Sequence, residues 1–158
     1  RAFNEFLQQK KIDIYPVHIK TDTGMHRLGF VKNEIDTLCG LLKSFSALKI
    51  ISVFSHLAGS DAADHDNFTL QQAADFTEAA DKIEAAVGYS FIRHIANSAA
   101  IYRHPQLQMG MVRLGIGLYG TDAAQEIQHR LQPVTSLKTT VSQVKKIKKG
   151  KTIGYSRK

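Results

Sequence analysis

Residues 15–29 read YPVHIKTDTGMHRLG, an apolar, β-rich run over 15–21 that passes into a polar turn containing Gly24 and Gly29. Beyond the turn the pattern becomes helical, with Asn33 as the expected N-cap. One face of this predicted helix carries the apolar residues Ile35, Leu38, Leu41, Leu42 and Phe45. A strand followed by a turn and an amphipathic helix is the building unit of a parallel sheet, so we predict the α/β fold class.

The same unit recurs further along the chain. A second apolar run over 49–56 predicts a strand covered on both faces, and a long helix is predicted over 66–86. A third run covers 90–96, and a fourth strand is predicted over 110–114. These β/α units amount to half of an eight-stranded β/α barrel.

After Pro133 the pattern changes. Residues 134–147 carry β-branched residues in partial alternation with polar ones, which predicts an antiparallel strand, and Lys149-Gly150 predicts a turn. We therefore divide the chain into a partial barrel over 1–125 and the start of a β domain over 126–158. Both ends interrupt patterned segments, so we expect an internal fragment of a longer protein.

Composition narrows the function classes. The single cysteine, Cys39, excludes a disulfide or thiolate metal site, so we expect no metal and a reducing cytoplasm. No apolar run approaches the roughly 20 residues of a membrane span, so no membrane partner is expected. The net charge of +7 includes a lysine cluster over 145–151 without interleaved aromatic residues. Such lysines commonly protect a strand edge, so no nucleic-acid partner is expected.

Polar side chains collect at the ends of the predicted strands, where parallel β/α folds build their sites. They are, in strand order, Lys20 and Arg27, then His56, then Asn97 and Ser98, and finally Arg113 and Gly115. Together they would form a basic, donor-rich basin for a phosphate or a carboxylate. Each also has a structural explanation: the first two as surface ion-pair partners, His56 as a core histidine and Ser98 as a helix N-cap.

Five segments, in the right order, resemble sequence signatures of alanine racemases. Residues 18–29, HIKTDTGMHRLG, resemble the K-x-D-T-G-M-x-R-L-G signature, and 55–58, SHLA, resemble the family's histidine strand. Residues 94–100, HIANSAA, and 111–120, MVRLGIGLYG, resemble its phosphate- and pyridine-binding segments, and 150–155, GKTIGY, the segment with the catalytic tyrosine. The resemblance implies the C-terminal half of a (β/α)8 TIM-type barrel that binds pyridoxal 5'-phosphate (PLP), followed by the first strands of an antiparallel β domain.

The resemblance also implies catalytic roles for Tyr155, His56, Arg113 and Arg27. Tyr155 would be the base that takes the α-proton from one enantiomer of alanine, acting across a homodimer from the second domain of the partner subunit. Arg113 would hydrogen-bond the pyridine nitrogen of PLP, and His56 would link Tyr155 to Arg113. A phenol with an ordinary pKa of about 10 is a poor base at neutral pH, so neighbouring donors would have to lower its pKa.

Further matching residues are implied to hold the phosphate of PLP. Ser98 would bind it together with the backbone amides of Gly115 and Ile116. Asn97 would lie beside it. A hydroxyl and backbone amides are the donors that a phosphate requires.

Two cations are implied to lie near the substrate. Arg27 would contact the phenolic oxygen of PLP and the substrate carboxylate. Lys20 matches a lysine that many family members carry in carbamylated form and that positions this arginine. A plain lysine in an ion pair is the alternative for Lys20.

The function implied for the full protein is the interconversion of L- and D-alanine for peptidoglycan synthesis in the bacterial cytoplasm. The family's Schiff-base lysine has no match among these 158 residues, so we expect the isolated chain to be inactive and to bind PLP weakly. Alternatives are a PLP-binding barrel protein without racemase activity, a racemase of another amino acid, and a β/α-barrel decarboxylase.

Overall fold

The computed structural model describes residues 1–151. Its helices are α1 (Ala2–Gln9), α2 (Ile35–Leu42), α3 (Asp66–Val87) and α4 (Ser98–Arg103), and its strands are β1 (Tyr15–Lys20), β2 (Leu48–Phe54) and β3 (Ile92–His94). Short 3-10 turns lie at Lys32–Glu34, Ala63–His65, Pro105–Leu107, Ile116–Tyr119 and Gln128–Arg130. The strands pair in parallel in the order β1-β2-β3, which confirms the α/β class.

The buried core contains apolar residues of the sheet and of helices α2 and α3. Helix α3 was predicted over 66–86, and its stripe of Phe76, Ala80 and Ile83 has 0% exposure. The helix ends at Gly88, whose φ of 76° suits a glycine. The strands contribute Ile19, Ile50 and Val53 to the same core. The loops that follow the strands are therefore anchored on a packed α/β layer.

The predicted fourth strand over 110–114 is wrong. Separate backbone hydrogen bonds link this segment to the chain around β3, from Gly110 N to Arg93 O (3.1 Å) and from Arg113 N to Ala96 O (3.0 Å). A strand requires a continuous ladder of such bonds. These two bonds lie three residues apart, and no ladder connects them. They nevertheless hold Arg113 beside the C-terminal end of β3.

Two local predictions are also wrong. Asn33 lies inside the 3-10 turn Lys32–Glu34, and the carboxylate of Glu34 accepts from the amide of Val31 (3.0 Å), so Asn33 is not the N-cap of α2. The strand over 49–56 was predicted to be covered on both faces, but Ile51 is 37% exposed, so the described residues leave part of one face of β2 uncovered.

Residues 131–148 form neither helix nor strand, and Val134, Val141 and Val144 are exposed. The strand predicted over 134–147 is therefore wrong for this chain, because a strand needs a pairing partner and residues 1–151 supply none here. The predicted turn at Lys149-Gly150 is present, with Lys151 N donating to Lys148 O (3.2 Å). Among residues 1–151, no helix has the length and apolar content that crossing a membrane requires.

Candidate functional site

The loop after β1 folds back onto the end of the strand. Phe30 N donates to Lys20 O (2.9 Å), and Asp22 N donates to Phe30 O (2.8 Å). The carboxylate of Asp22 accepts from the amides of Gly24 and His26, both at 3.0 Å. Burial acts to raise the pKa of Asp22, but these amide bonds hold the pKa below its ordinary value. The ionised carboxylate thus fixes the loop that carries the predicted substrate-binding arginine.

The loops after β2 and β3 and the segment around Arg113 enclose a cavity of about 440 Å³. This volume falls within the roughly 300–1,000 Å³ of small-molecule sites. The lining includes six residues predicted for the site, namely His56, Asn97, Ser98, Arg113, Gly115 and Ile116. The structure therefore brings together the residues at the ends of β2 and β3 and those of the 111–120 segment.

Arg113 is half-buried and binds the backbone of both neighbouring strands. Its Nη1 donates to Nδ1 (2.7 Å) and to the carbonyl oxygen (3.2 Å) of His94. Its Nη2 donates to the carbonyl oxygens of Ser55 (2.6 Å) and Ile95 (3.2 Å), and lies 3.5 Å from Nδ1 of His56. These acceptors occupy both terminal nitrogens of Arg113. Within residues 1–151, the Nε–H of Arg113 is the guanidinium donor that remains free.

His94 fixes one side of Arg113. Its ring is 4% exposed and stacks on Phe54, with ring centres 5.0 Å apart. Because a guanidinium only donates, Nδ1 of His94 must accept and the ring proton must be on Nε2. Burial, followed by the charges of Arg113 and His18, lowers the pKa of His94 from 6.5 to about 4. The ring is therefore neutral at pH 7.

No role was predicted for His94, although it begins the HIANSAA segment. The available signal was a histidine followed by the apolar Ile95 and Ala96 within the strand predicted over 90–96. Such a position requires hydrogen-bond partners for both ring nitrogens, because burying an unpaired polar group is costly. The partners come from other strands, so periodicity alone could not identify them.

His56 lies two residues beyond β2 and is half-buried. Burial lowers its pKa, and the charges of Arg113, Arg27 and Lys20 lower it further. His56 is therefore neutral at pH 7 and can accept or donate a hydrogen bond there. Lys20 and Arg27, the cations at and after the end of β1, thus contribute to keeping this histidine neutral.

Gln72 holds the loop that carries His56. Its side chain is fully buried in α3, and its Oε1 accepts from the amide of Ala58 (2.9 Å). Its Nε2 donates to the carbonyl oxygen of His56 (3.2 Å) and to Oγ1 of Thr23 (3.4 Å). Gln72 therefore connects the loops after β1 and β2. No separate role was predicted for Gln72 within the helix over 66–86, where a polar residue among apolar ones was the available signal.

Ser98 joins the start of α4 to the 111–120 segment. Its Oγ accepts from the amides of Gly115 (2.8 Å) and Gly117 (3.2 Å). The hydroxyl proton of Ser98 is thus left to donate elsewhere. Ile116 begins the 3-10 turn Ile116–Tyr119 and is 49% exposed.

Asn97 is the N-cap of α4. Its Oδ1 accepts from the amide of Ala100 (3.1 Å) and from Oγ of Ser60 (2.8 Å). Its Nδ2 donates to the carbonyl oxygen of Leu57 (3.3 Å). Capping and loop bridging account for this side chain, although Asn97 also lines the cavity. A contact with a phosphate stays a prediction for Asn97.

Two further predicted residues, Arg27 and Lys20, lie apart from the cavity lining. Arg27 is exposed and Lys20 is half-buried, and neither lines the cavity. Both lie close enough to His56 to lower its pKa. Tyr155 lies outside the described residues, so its place relative to His56 stays a prediction.

Comparisons with known proteins agree with the resemblance. Residues 1–123 match the family model of the alanine racemase N-terminal domain. The alanine racemase of Desulfovibrio desulfuricans is 38% identical over 141 residues, covering 88% of this chain and 38% of that protein. The crystal structure of alanine racemase from Corynebacterium glutamicum has a TM-score of 0.70 and 28% identity, over 84% of this chain and 37% of that one.

A further solved structure is informative about the cofactor of a relative. It is alanine racemase from Bartonella henselae with covalently bound pyridoxal phosphate, with a TM-score of 0.67 and 29% identity, over 79% of this chain and 34% of that one. The chain thus spans less than half the length of the proteins it matches. The residues matched by the family model include His56, Ser98 and Arg113. By this match the chain belongs to the alanine racemase family.

Proposed function

We propose that the protein is a PLP-dependent alanine racemase that interconverts L- and D-alanine for peptidoglycan synthesis. The observation that carries the proposal is the arrangement of Arg113. Both terminal nitrogens of its guanidinium are engaged by His94 and by main-chain carbonyl oxygens, while it lines the cavity. This arrangement fits a residue that presents its Nε–H to an acceptor in the cavity, such as a pyridine nitrogen.

The donor set of the cavity suits PLP. Bound PLP supplies an electron sink that makes the α-proton of an amino acid removable. Arg113 is always charged, so a ring nitrogen facing it would accept a hydrogen bond and remain unprotonated. The free hydroxyl proton of Ser98 and the backbone amide of Ile116 would bind the phosphate. The amide of Gly115, which donates to Oγ of Ser98 here (2.8 Å), would have to turn from that oxygen to the phosphate. The covalently bound pyridoxal phosphate of the Bartonella henselae relative supports this assignment.

His56 and Tyr155 would carry the proton chemistry. Neutral His56 lies 3.5 Å from Arg113 through Nδ1, which leaves Nε2 available for a second partner. We propose that this partner is the hydroxyl of Tyr155 from the other subunit of a homodimer. A donor at that position would stabilise the phenolate and so lower the pKa of Tyr155, which would then act as the base toward one enantiomer.

Arg27 and Lys20 would act in substrate binding. The Asp22-centred loop holds Arg27 near the end of β1, and Met25 of the same loop lines the cavity, which supports a position of Arg27 at the cavity's edge. Arg27 would bind the substrate carboxylate and the phenolic oxygen of PLP. Lys20 would position Arg27, either carbamylated or as an unmodified lysine.

The same proposal covers the wider organisation. Residues 1–125 would form the C-terminal half of the PLP-binding barrel, and 126–158 would begin the β domain, in a bacterial cytoplasmic enzyme. The isolated 158 residues would be inactive, because the family's Schiff-base lysine has no counterpart among them.

The test is conversion of L-alanine to D-alanine by the full-length protein with PLP, followed by chiral chromatography. We expect racemisation in both directions by the full-length protein and none by the isolated 158 residues. PLP binding without turnover of any amino acid would favour the carrier alternative. Preferred turnover of another amino acid would instead assign a different racemase.

A further inference from the structure

Polar side chains from all strands of the described sheet form a continuous line of hydrogen bonds behind Arg113. Nδ1 of His18 in β1 lies 2.7 Å from Oγ of Ser52 in β2. The same oxygen lies 3.0 Å from Nε2 of His94 in β3, and Nδ1 of His94 lies 2.7 Å from Arg113 Nη1. The sheet register supports this line, since His18 pairs with Ser52 across β1 and β2.

Arg113 determines the direction of the hydrogen bond between His94 and Ser52. Its guanidinium only donates, so Nδ1 of His94 accepts and Nε2 carries the ring proton. Nε2–H must then donate to Oγ of Ser52. The contact between Ser52 and His18 is compatible with either direction, because the hydroxyl can donate to Nδ1 or accept from an Nδ1–H.

Ser52 is the buried link in this line. Its side chain is 1% exposed and that of His94 is 4% exposed, whereas His18 is exposed. Without the hydroxyl, the buried Nε2–H of His94 would lose its acceptor, which makes the position of the ring less favourable.

We propose that Ser52 is a positioning residue of the site: its hydroxyl joins His18 to His94, accepts from Nε2–H of His94 and thereby holds the imidazole ring and, through it, Arg113 in place. The inference rests on the proposed function, in which Arg113 faces the pyridine nitrogen. Ser52 itself would touch neither cofactor nor substrate. Its effect would pass through His94 to the orientation of Arg113.

The test uses the full-length protein with Ser52→Ala, with Ser52→Thr as the variant that keeps the hydroxyl. NMR of the cofactor-free protein observes the Nε2–H proton of His94, which is detectable when a hydrogen bond slows its exchange with water. We expect Ser52→Ala to lose this signal and Ser52→Thr to retain it. With PLP bound, we expect Ser52→Ala to lower kcat by about tenfold or more, as loss of an outer hydrogen-bond partner does in metal sites, with KM for alanine within about twofold.

A matched control is Ser55→Ala. Ser55 lies at the end of the same strand, is also 1% exposed, and directs its hydroxyl to Thr21 O (2.9 Å), away from the histidines. The variant keeps the backbone carbonyl that Arg113 binds, so we expect it to retain the His94 signal. The proposal is contradicted if Ser52→Ala keeps the signal, if the signal is lost while kcat is unchanged, or if Ser55→Ala removes the signal as well.

The outcome is separable from that of the proposed function. If the wild-type full-length protein fails to racemise alanine, the racemase assignment fails. The NMR comparison of Ser52→Ala with Ser55→Ala needs no cofactor and no turnover. It therefore still determines whether Ser52 binds the Nε2–H of His94.

Discussion

Nη1 of Arg113 lies 2.7 Å from Nδ1 of His94, so a permanently charged group is held against an imidazole that must remain neutral. The contact has two consequences. It orients the guanidinium that we propose to face the cofactor. Together with the burial of the ring, which is the larger cause of its lowered pKa, it also keeps His94 unprotonated until the pH is well below neutral. The predictions that follow test these consequences and the supports around them.

Arg113→Lys should disable the site in the full-length enzyme. A lysine ammonium is a point charge and cannot bind His94 and two main-chain carbonyls while also presenting a donor to the cavity. We expect kcat/KM for racemisation to fall by about 100-fold or more, since small displacements in an active site have effects of that size. Steady-state kinetics from L-alanine and from D-alanine measures this fall in kcat/KM.

Arg103→Lys is the matched control for Arg113→Lys. Arg103 is also little exposed and binds Asp66 through two nitrogens (2.9 and 3.1 Å), but it does not line the cavity. Its replacement should lower the urea midpoint while kcat/KM stays within about threefold. An equal loss of activity in both variants would contradict a specific role for Arg113.

Acid should destabilise the fold through His94. Its pKa in the folded state is about 4 against 6.5 ordinarily, so between these values the unfolded chain binds a proton that the folded chain does not. The stabilising contribution of neutral His94 is therefore complete above pH 6.5 and is lost as the pH falls toward 4. His56, whose pKa is also lowered, contributes with the same sign.

The measurement is urea unfolding at several pH values for the wild type and His94→Gln. One proton corresponds to a slope of up to about 1.4 kcal/mol per pH unit, so the variant should show a slope smaller by as much as that within the window. His94→Gln will lower stability overall, but the slope and not the absolute value is the readout. Identical slopes would mean that His94 titrates normally in the folded protein.

Gln72→Leu should weaken both the fold and the site. The change leaves the amide of Ala58 and the carbonyl of His56 without their buried partner, at a cost of about 1–3 kcal/mol. The loop of His56 then loses its connection to α3, so racemase activity should fall as well. Gln71→Leu, at the exposed neighbouring position, should change stability by no more than about 0.5 kcal/mol. Equal effects at the two positions would reject the bridging role of Gln72.

Gly29→Ala should disrupt the loop after β1. Gly29 has a φ of +120°, and an added Cβ would lie 2.8 Å from the carbonyl carbon of Thr21 and 2.9 Å from the amide nitrogen of Asp22. Both are backbone atoms that cannot move aside easily, so we expect a loss of about 1–3 kcal/mol in the free energy of unfolding.

Gly40→Ala provides the opposite case in the same protein. Gly40 lies in α2, and an added Cβ would meet no atom within 4 Å. Gly40→Ala should raise the free energy of unfolding by about 0.4–1 kcal/mol, because alanine restricts the unfolded chain. Thermal or chemical unfolding compares the stabilities of Gly29→Ala and Gly40→Ala. If both variants were destabilised to a similar extent, the conformation described for the loop at Gly29 would be contradicted.

The parts of the fold that were predictable from sequence are those fixed by local pattern. The strands at 15–21, 49–56 and 90–96 and the helix at 66–86 correspond to β1, β2, β3 and α3, with boundaries shifted by a few residues. In each, apolar periodicity and the adjoining turn act within one segment. Predictions that depended on a distant partner were less successful, as the fourth strand over 110–114 illustrates.

The candidate site shows the same division. His56 and Ser98 were predictable because they follow strands, and strand ends in this architecture converge on one cavity. Arg113 was assigned to the end of a fourth strand that does not form, and it reaches the cavity through hydrogen bonds to the chain beyond β2 and β3. The supporting residues were not predictable, because Ser52, His94 and Gln72 were assigned to apolar patterns and their hydrogen bonds cross between elements. A polar residue inside an apolar run indicates that a partner exists but not which one.

The central claim is that Arg113, held by His94 and by main-chain carbonyls, directs its free Nε–H to the pyridine nitrogen of PLP. A crystal structure of the full-length protein with PLP measures this directly. We predict a distance of roughly 2.7–3.2 Å between Nε of Arg113 and the pyridine nitrogen, with the guanidinium still bound to His94. A cofactor whose ring nitrogen faces another residue, or that lies outside the cavity lined by His56 and Ser98, would contradict the account.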